Sequence, residues 1–243
     1  MLYIFLFLII HWYLSLFCQS FFLHRYGAHK MFTLSKFWEL FFFVLTYISQ
    51  GSSFLSPKGY AILHRMHHAY SDTEKDPHSP HFYGNIFSMM WKTKKTYSDY
   101  VYDRIQPEER FGKNIPHAPK LERFADTWFS RLAWMSLYIS FYVIFATSWW
   151  MYLFLPIHFL MGPIQGAIVN WCGHKYGYQN FSEGDRSKNT LLIDFLLLGE
   201  LFQNNHHHAP ARANFAAKWY ELDPIYPVIK VLSFFRILRP VVG

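Results

Sequence analysis

The amino-acid sequence predicts an all-α protein: a multi-span transmembrane helical bundle with a cytosolic helical cap that carries a histidine-rich dinuclear metal site. Apolar segments indicate the bundle, since 52% of the 243 residues are hydrophobic. A mean hydropathy of only +0.02 indicates a sizeable part outside the membrane. Histidines gathered into a few short groups indicate the metal site. We treat residues 1–243 as a single domain.

The first apolar segment, residues 2–23, predicts a transmembrane helix. It contains no Lys, Arg, Asp or Glu, and a helix needs about 20 residues to cross a bilayer. A cleaved signal peptide is the competing interpretation. The segment has neither the basic start nor the small-residue cleavage site of a signal peptide, so we predict a retained span.

Two further apolar segments follow, and the histidine groups constrain how they cross the membrane. Residues 132–169 are about twice as long as the ~20 residues of one span, which predicts a helical hairpin with spans at 132–148 and 150–169. All histidine groups must meet on one face of the membrane, so an even number of crossings separates them. We therefore expect residues 37–55 to lie along the interface, or to enter the membrane and return.

The basic residues predict the orientation of the chain. Arg25, Lys30 and Lys36 follow the first span, and no basic residue precedes it. Because Lys and Arg gather on the cytoplasmic side of membrane proteins, we expect residues 70–130 and 174–243 to be cytosolic and the metal site to face the cytoplasm. This count leaves three spans and an outside N-terminus, which suggests that an upstream span is missing or that the start is mis-assigned.

His64, His67 and His68 give the strongest metal signal. Their spacing, i, i+3 and i+4, places them on one face of an α-helix. Imidazole is a preferred ligand of iron, copper, zinc and nickel. Three histidines so close together rarely arise by chance on a polar surface helix, so we interpret them as ligands.

Gln203, His206 and His207 repeat this spacing, with His208 directly after them. We interpret the two histidines of the repeated pattern as ligands. Each residue of a helix turns by about 100°, so three consecutive side chains cannot all face one point. We therefore expect His208 to point away from the metals.

His24 and His29 are five residues apart, which corresponds to about 140° on a regular helix. They face one metal only if the helix ends or distorts between them, for which Gly27 provides the backbone freedom. Otherwise each histidine serves a different metal.

Asn170 and His174 are four residues apart and share one face of a helix. The amide is suited to hold a metal-bound water, although an ordinary helix cap explains the pair equally well.

The candidate histidines exceed the four ligands of a tetrahedral zinc site, which predicts two adjacent ions. The predicted ligands are His24, His29, His64, His67, His68, His174, His206 and His207.

The remaining histidines are assigned to other roles. We leave His11, His117 and His158 outside the site, because a lone intramembrane histidine is more often a hydrogen-bonded core group or a pore residue than a ligand. His78 and His81 follow the second group closely. We expect them to contact the ligands rather than the metals.

These motifs resemble the three histidine boxes of the integral-membrane fatty acid desaturases, most closely the acyl-CoA Δ9, stearoyl-CoA-like branch. The boxes of that family are H-x-x-x-x-H, H-x-x-H-H and H-x-x-H-H. The corresponding segments here are HRYGAH at 24–29, HRMHH at 64–68 and QNNHH at 203–207. Further matches are Asp76-Pro77-His78, residues 170–177 and Gly199-Glu200. The resemblance covers about residues 14–240.

The resemblance implies two iron ions, held by the predicted histidines and, at Asn170, through a water. It implies that O2 and two electrons remove two hydrogens from a long-chain acyl substrate and leave a cis double bond. The substrate would be an acyl-CoA or another carried acyl group. We see no room for a fused electron-transfer domain in 243 residues, so a separate cytochrome- or ferredoxin-type donor is expected.

Gln203 departs from the family pattern, which has histidine at this position. An amide is a poorer iron ligand than imidazole. Three arrangements are open: the site works with eight histidines, Gln203 binds through its oxygen or a water, or His208 substitutes. We expect Gln203 to lie near the metal.

Lys92, Lys94 and Lys95, which follow Trp91, and Arg65 form a candidate site for the phosphates of an acyl carrier. A solvated basic face against anionic lipid explains the same charges. The formal charge of +7 therefore fits a membrane-bound protein. No nucleic-acid motif is recognisable, and we predict no nucleic-acid partner.

Three other functions share parts of this pattern. A hydroxylase or other lipid oxidase uses the same first hydrogen abstraction, so ligand spacing does not separate it from a desaturase. A metal transporter needs polar or acidic residues along its spans, and these spans are almost free of Asp and Glu. A catalytically inactive relative is the third alternative, because Gln203 removes one imidazole.

Overall fold

The computed structural model describes residues 1–182 and 184–241 and is mostly helical, as predicted. The predicted cytosolic segment 174–243 thus includes Glu183, Val242 and Gly243, which lie outside the described residues. The α-helices are α1 (Leu2–Phe17), α2 (Lys36–Gln50), α3 (Pro57–Tyr70), α4 (Ile86–Val101), α5 (Glu109–Gly112), α6 (Pro119–Ala125), α7 (Trp128–Phe145), α8 (Leu155–Phe159), α9 (Met161–Lys175), α10 (Gln203–His208) and α11 (Ile225–Phe234).

Short elements of other kinds complete the chain. A π-helix covers Cys18–Ala28, and 3₁₀ turns cover Gly51–Ser53, Pro80–Phe82 and Trp149–Phe154. The strands β1 (Phe32–Leu34) and β2 (Leu238–Pro240) form an antiparallel pair in which Thr33 faces Arg239. This pair joins the segment after the first histidine box to the end of the described chain.

Among the described residues, two helices are long and apolar enough to cross a membrane. The first is continuous over Leu2–Ala28, a length of 27 residues, and so includes the π-helix and the first histidine of the first box. The second, Trp128–Phe145, has 18 residues. The span expected at residues 2–23 therefore extends further along the chain than the apolar composition alone indicates.

The second arm of the expected hairpin is not one straight helix. Trp149–Phe159 and Met161–Lys175 meet at a bend of 73°. Pro163 lies in the first turn of α9 and has no N–H to donate to the carbonyl four residues earlier, so the helical hydrogen-bond ladder cannot continue through this point. Together the two pieces amount to one broken span or a re-entrant segment.

Helix α2 has an apolar face on each side. Ser35 caps its start by accepting a hydrogen bond from the Trp38 N–H at 3.4 Å. Phe42 and Phe43 are buried, whereas Phe37 on the outer face is 69% exposed. With 15 residues, α2 is shorter than the ~20 residues of a span. Its position along the membrane interface stays a prediction.

An aromatic core lies beside the histidines. Phe21 and Phe22 of the π-helix pack in one buried cluster with Phe202, just before α10, and Phe215, just after it. Burying an aromatic side chain stabilises a fold by about 1.5–3 kcal/mol. This cluster therefore joins the first and third histidine boxes, which are far apart in sequence.

The second box is positioned by close packing of α3 against α4. Gly59 in α3 faces Tyr97 in α4, and a Cβ at Gly59 would lie 2.4 Å from the Tyr97 ring. The Tyr97 hydroxyl also accepts a hydrogen bond from the Ser56 N–H at 2.6 Å. The absence of a side chain at Gly59 thus sets how near the two helices approach.

Substitution of this glycine should destabilise the protein. In Gly59→Ala the new methyl group overlaps the Tyr97 ring, and overpacking costs about 1–3 kcal/mol. Gly84→Ala is the matched control, since a Cβ there meets no atom within 4 Å. Thermal unfolding in detergent should show a lower Tm for Gly59→Ala only. Equal Tm values for the two variants would contradict this packing argument.

Candidate metal centre

The predicted ligands lie together in two groups. Within each group, the ligand nitrogens of the imidazoles lie within 4.8 Å of one another. The five-histidine group is His24, His29, His64, His68 and His206. The three-histidine group is His67, His174 and His207. All eight predicted histidines are thus brought together, although their role as ligands stays a prediction.

The π-helix explains how His24 and His29 reach the same group. The His29 N–H donates to the His24 carbonyl at 3.1 Å, which is the i to i+5 hydrogen bond of a π-helix. Residues five apart therefore stack along one face, rather than about 140° apart as on an α-helix. The distortion required by the sequence spacing is present.

The second and third boxes each divide between the two groups. On α3, His64 and His68 contribute to the five-histidine group, and His67 contributes to the three-histidine group. On α10, His206 and His207 separate in the same way. Adjacent helical residues point about 100° apart, so consecutive histidines serve two neighbouring positions.

The Nε2 atoms of the five-histidine group form a continuous series of short contacts. The separations are 2.7 Å for His29–His64, 3.0 Å for His64–His68, 2.9 Å for His68–His206 and 2.9 Å for His206–His24. Two imidazole nitrogens bound to one ion at right angles, with bonds of about 2.0–2.1 Å, lie about 2.9 Å apart. The spacing therefore fits nitrogens that share one metal ion.

Every member of the three-histidine group is paired with a carboxylate through Nδ1. The pairs are His67–Asp76 at 2.8 Å, His174–Asp72 at 2.9 Å and His207–Asp185 at 2.5 Å. Carboxylate partners on the far nitrogen orient metal-binding histidines and raise their basicity. The arrangement leaves each Nε2 directed towards its neighbours.

The charge on these carboxylates determines which nitrogen carries the proton. Burial alone would raise the pKa of Asp76, but the His67 imidazole and the His78 backbone amide hold that pKa below its usual range. The pKa of Asp185 is likewise lowered, by His207 and Ser187, despite burial. An ionised carboxylate only accepts hydrogen bonds, so Nδ1 of each partner histidine donates.

A neutral imidazole that carries its proton on Nδ1 presents a lone pair at Nε2. His67 Nε2 and His174 Nε2 are 3.1 Å apart, and each ring donates from Nδ1 to a carboxylate. Two acceptors at this distance repel unless a positive ion lies between them. Within the described part of the chain, the buried His207 Nε2 atom has no hydrogen-bond partner, so it too is available to a positive ion.

A buried ionic network fixes the first box. Glu200 accepts a hydrogen bond from His24 Nδ1 at 2.5 Å and from Arg25 at 2.8 Å. Arg25 also donates to Asp223 at 2.8 Å and has no exposed surface. Burial would raise the pKa of Glu200, but His24 and Arg25 lower it to about 2. Arg25 thus bridges two buried carboxylates beside His24.

His64, His68 and His206 of the five-histidine group stay neutral near pH 7. Burial is the main cause that lowers the pKa of His64, His68 and His206, and neighbouring histidines lower it further. Metal binding requires neutral imidazole. These residues are consequently ready to act as ligands at physiological pH.

Gln203 lies beside the histidines, but its amide nitrogen is used in a hydrogen bond to the backbone. Its side chain is buried, and its amide nitrogen donates to the Glu200 carbonyl at 2.7 Å. A Cβ on Gly173 would lie 2.4 Å from Gln203 Cγ, so only glycine admits this approach of α10 to α9. The oxygen is the atom of Gln203 that could face a metal or a water.

Polar contacts hold α10 in position. Asn205 donates to the Phe215 carbonyl at 2.9 Å and to Glu221 at 2.8 Å.

His208 is in neither histidine group, and its ring stacks on Phe181 with the centroids 3.7 Å apart. This geometry agrees with the expectation that His208 points away.

A cavity of about 720 Å³ extends from the histidines to the surface. His24 and His64 contribute to its wall, together with Asn170 and Gln203. The lining also includes Trp91, which is 70% exposed. Binding pockets for small molecules usually have volumes of about 300–1,000 Å³ and mostly apolar walls, and this cavity fits both features.

The four residues predicted to bind a carrier separate in the structure. Lys92, Lys94 and Lys95 are exposed on α4, and Lys94 lines the cavity near Trp91. Arg65 instead donates four hydrogen bonds to backbone carbonyls, including those of Gly27 and Ala28, at 2.6–3.1 Å. Its guanidinium thus joins α3 to the π-helix and to the end of α5, and a role for Arg65 in carrier binding stays a prediction.

The other histidines also have clear positions. His11 and His158 contact each other at 2.7 Å, away from both groups. His117 pairs with Glu122, as an exposed residue would. His81 contacts the His174 carbonyl at 2.9 Å, and His78 forms a further cluster with His67 and Asp76.

The carboxylate partners are the functional residues that the sequence analysis did not assign. Asp76 and Glu200 belong to recognised motifs, but their pairing with particular histidines depends on the fold. Asp72 follows His68 by four residues, a spacing that was available in the sequence. Asp185 lies in a loop 22 residues before His207 and has no local signal.

These features define a helical protein of the membrane type with a candidate dinuclear histidine centre beside an apolar cavity. The sequence model of the fatty acid desaturase family matches residues 1–233. The chain belongs to the fatty acid desaturase family.

Several characterised relatives are similar to the chain. An acyl-CoA 5-desaturase of Anemone leveillei is 28% identical over 87% of the chain and 63% of its own length. A sn-1 stearoyl-lipid 9-desaturase of Anabaena variabilis is 27% identical over 86% of the chain and 73% of its own length. A chloroplastic palmitoyl-monogalactosyldiacylglycerol delta-7 desaturase of Arabidopsis thaliana is 30% identical over 86% of the chain and 54% of its own length. The chain thus spans between about half and three quarters of these relatives.

Removing the charge of a carboxylate partner should weaken metal binding. Asp185→Asn keeps the shape of the side chain but loses the charge that raises the basicity of His207, and loss of such a partner costs about 10–100-fold in affinity. Asp103→Asn is the control, because Asp103 is exposed and pairs with Lys58. Competition against a chelator measures both affinities. Equal affinities would contradict the assigned role of Asp185.

Metal-free protein should lose stability as the pH falls below about 6.5, the ordinary pKa of histidine. His64, His68 and His206 have lowered pKa values in the folded protein. At a pH between the folded and the unfolded pKa of such a histidine, only the unfolded chain binds the proton. Each of these histidines then removes up to about 1.4 kcal/mol of stability per pH unit. Thermal unfolding of chelator-treated protein at about pH 7.5 and about pH 5.5 measures this, and a Tm that stays constant or rises on acidification would contradict it.

Proposed function

We propose that the protein is an O2-dependent diiron acyl desaturase that inserts a cis double bond into a long-chain fatty acyl substrate. The observation that carries the proposal is the convergence of two histidine groups at the wall of an apolar cavity, in a chain of the fatty acid desaturase family. An imidazole-rich donor set with carboxylate partners suits iron.

The residues divide between the two irons. The five-histidine group would hold one ion. The three-histidine group would hold the other, with Asn170 positioned to bind it through a water and Gln203 close by. When bound, the diiron pair supplies the oxidation in which O2, two electrons and two protons take two hydrogens from adjacent CH2 groups and form two waters.

The rest of the protein positions the substrate and excludes water. The cavity wall is mainly apolar, which favours an acyl chain over solvent. His24 and His64 are part of that wall, so a chain in the cavity passes beside the ligands of the first ion. The carboxylate pairs keep the Nδ1 protons of their histidines in place and leave Nε2 free to coordinate.

The carrier and the electron donor complete the proposal. Lys94 at the cavity mouth would bind the phosphates of an acyl-CoA or the anionic part of another acyl carrier. A separate cytochrome- or ferredoxin-type protein would supply the electrons. The apolar helices would anchor the single domain in the bilayer as a multi-pass protein, with the metal centre on the cytoplasmic face.

Lipid analysis after expression in a desaturase-deficient host tests the function. Wild-type protein should yield a new unsaturated acyl chain, and His206→Ala should yield none because a ligand of the first ion is lost. A hydroxylated chain in place of the alkene would instead support a hydroxylase on the same scaffold. An unchanged lipid profile from well-expressed protein would contradict both activities.

Charge reversal at the cavity mouth should weaken substrate binding. Lys94→Glu places a negative charge beside the carrier phosphates and should raise the KM for acyl-CoA, most strongly at low salt, where exposed charges are least screened. The control Lys120→Glu changes an exposed lysine outside the cavity lining. Iron content should be the same in both. An unchanged KM in Lys94→Glu would contradict the assignment.

A further inference from the structure

The two histidine groups are unequal, and Gln203 lies next to an element of the smaller group, since a Cβ on Gly173, the neighbour of His174, would lie 2.4 Å from Gln203 Cγ. One group contains five imidazoles and the other contains three. Gln203 begins the third box, where an imidazole would otherwise be available, and its amide nitrogen is already used by the Glu200 carbonyl. The three-histidine group is therefore short of nitrogen donors.

His78 is a buried imidazole with unused nitrogens. Only 5% of its surface is exposed, and neither Nδ1 nor Nε2 has a hydrogen-bond partner among the residues that the structure describes. A buried polar group without a partner costs about 1–3 kcal/mol. A histidine with both ring nitrogens unpaired therefore points to a partner that is neither a side chain nor the backbone.

His78 lies beside His67, one member of the three-histidine group. Its ring centroid lies 4.5 Å from that of His67, and a nitrogen of His78 lies within 4.8 Å of ligand atoms of His67 and Asp76. His78 also lines the cavity to which Gln203 and Asn170 contribute. The unused nitrogens are thus close to His67, through which His78 adjoins the three-histidine group.

One carboxylate contacts the ring of His67 and the backbone of His78. Asp76 Oδ2 accepts from His67 Nδ1 at 2.8 Å, and Asp76 Oδ1 accepts from the backbone N–H of His78 at 3.0 Å. The same carboxylate oxygen that pairs with His67 also accepts from the Asp72 N–H at 2.9 Å. The loop that carries His78 is therefore fixed relative to His67, so His78 is positioned before any ion binds.

We propose that His78 is an additional ligand of the ion held by the three-histidine group, in place of the imidazole that is missing at Gln203. This inference rests on the proposed diiron function and concerns only the second ion. It predicts that His78 and a histidine at position 203 can substitute for each other.

Cobalt titration of metal-free protein tests the proposal, with Co²⁺ as the probe and its visible absorption as the signal. Wild-type protein should bind two ions. His78→Ala should bind the first ion with unchanged affinity and the second at least about 100-fold more weakly. Loss of a residue that only contacts a metal ligand already costs about 10–100-fold in affinity, and loss of a ligand should cost at least the upper value. His117→Ala, which changes an exposed histidine outside the cluster, should match the wild type.

The double variant His78→Ala with Gln203→His separates ligation from packing. It should regain the second ion, and X-ray absorption should recover the imidazole scattering lost in His78→Ala. Two ions bound with wild-type affinity in His78→Ala would overturn the proposal and leave the diiron function intact. Loss of binding in His78→Ala without recovery in the double variant would also overturn it, because His78 would then act through packing. Fewer than two ions in the wild type would contradict the proposed function itself.

Discussion

Repulsion between imidazole lone pairs is the constraint on which the rest of the structure depends. His67 Nε2 and His174 Nε2 are 3.1 Å apart, while their Nδ1 protons are held by Asp76 and Asp72. Such a pair is unfavourable unless a cation lies between the nitrogens. The Nε2 atoms of the five-histidine group are also crowded, with separations down to 2.7 Å. The fold therefore has to hold together groups that repel one another until a metal binds.

Several features of the fold supply that support. The π-helix turns His24 and His29 to one side, and the aromatic cluster around Phe202 and Phe215 joins this helix to α10. Arg25 is buried between Glu200 and Asp223, and removing one partner of a buried ion pair costs about 3–5 kcal/mol. The charges that orient the ligands are thus also part of the stability of the core.

The sequence predicts the parts of the site that depend on helical spacing. The i, i+3, i+4 pattern on α3 places His64, His67 and His68 near one another, and the same rule gives the orientation of His208. It does not predict that neighbouring histidines divide between two groups, because that depends on how α3, α9 and α10 meet. The pairing of Asp185 with His207 joins a loop to a helix and has no signature in local spacing.

The fold shows the same division between local and non-local information. Apolar length predicts the first span and the helix at Trp128–Phe145, whereas the bend of 73° in the following segment depends on the local effect of Pro163 and on packing. Arg65 illustrates a different difficulty. Its charge suggests an anion site, but the backbone carbonyls that it contacts become close to it only in the folded chain.

Anomalous diffraction from crystals of iron-loaded protein, measured on both sides of the iron absorption edge, tests the central claim most directly. The account predicts two iron peaks. One should lie about 2 Å from the Nε2 atoms of the five-histidine group, and the other at a similar distance from His67, His174 and His207. A single iron peak, or iron peaks outside both groups, would contradict a dinuclear centre built from these histidines.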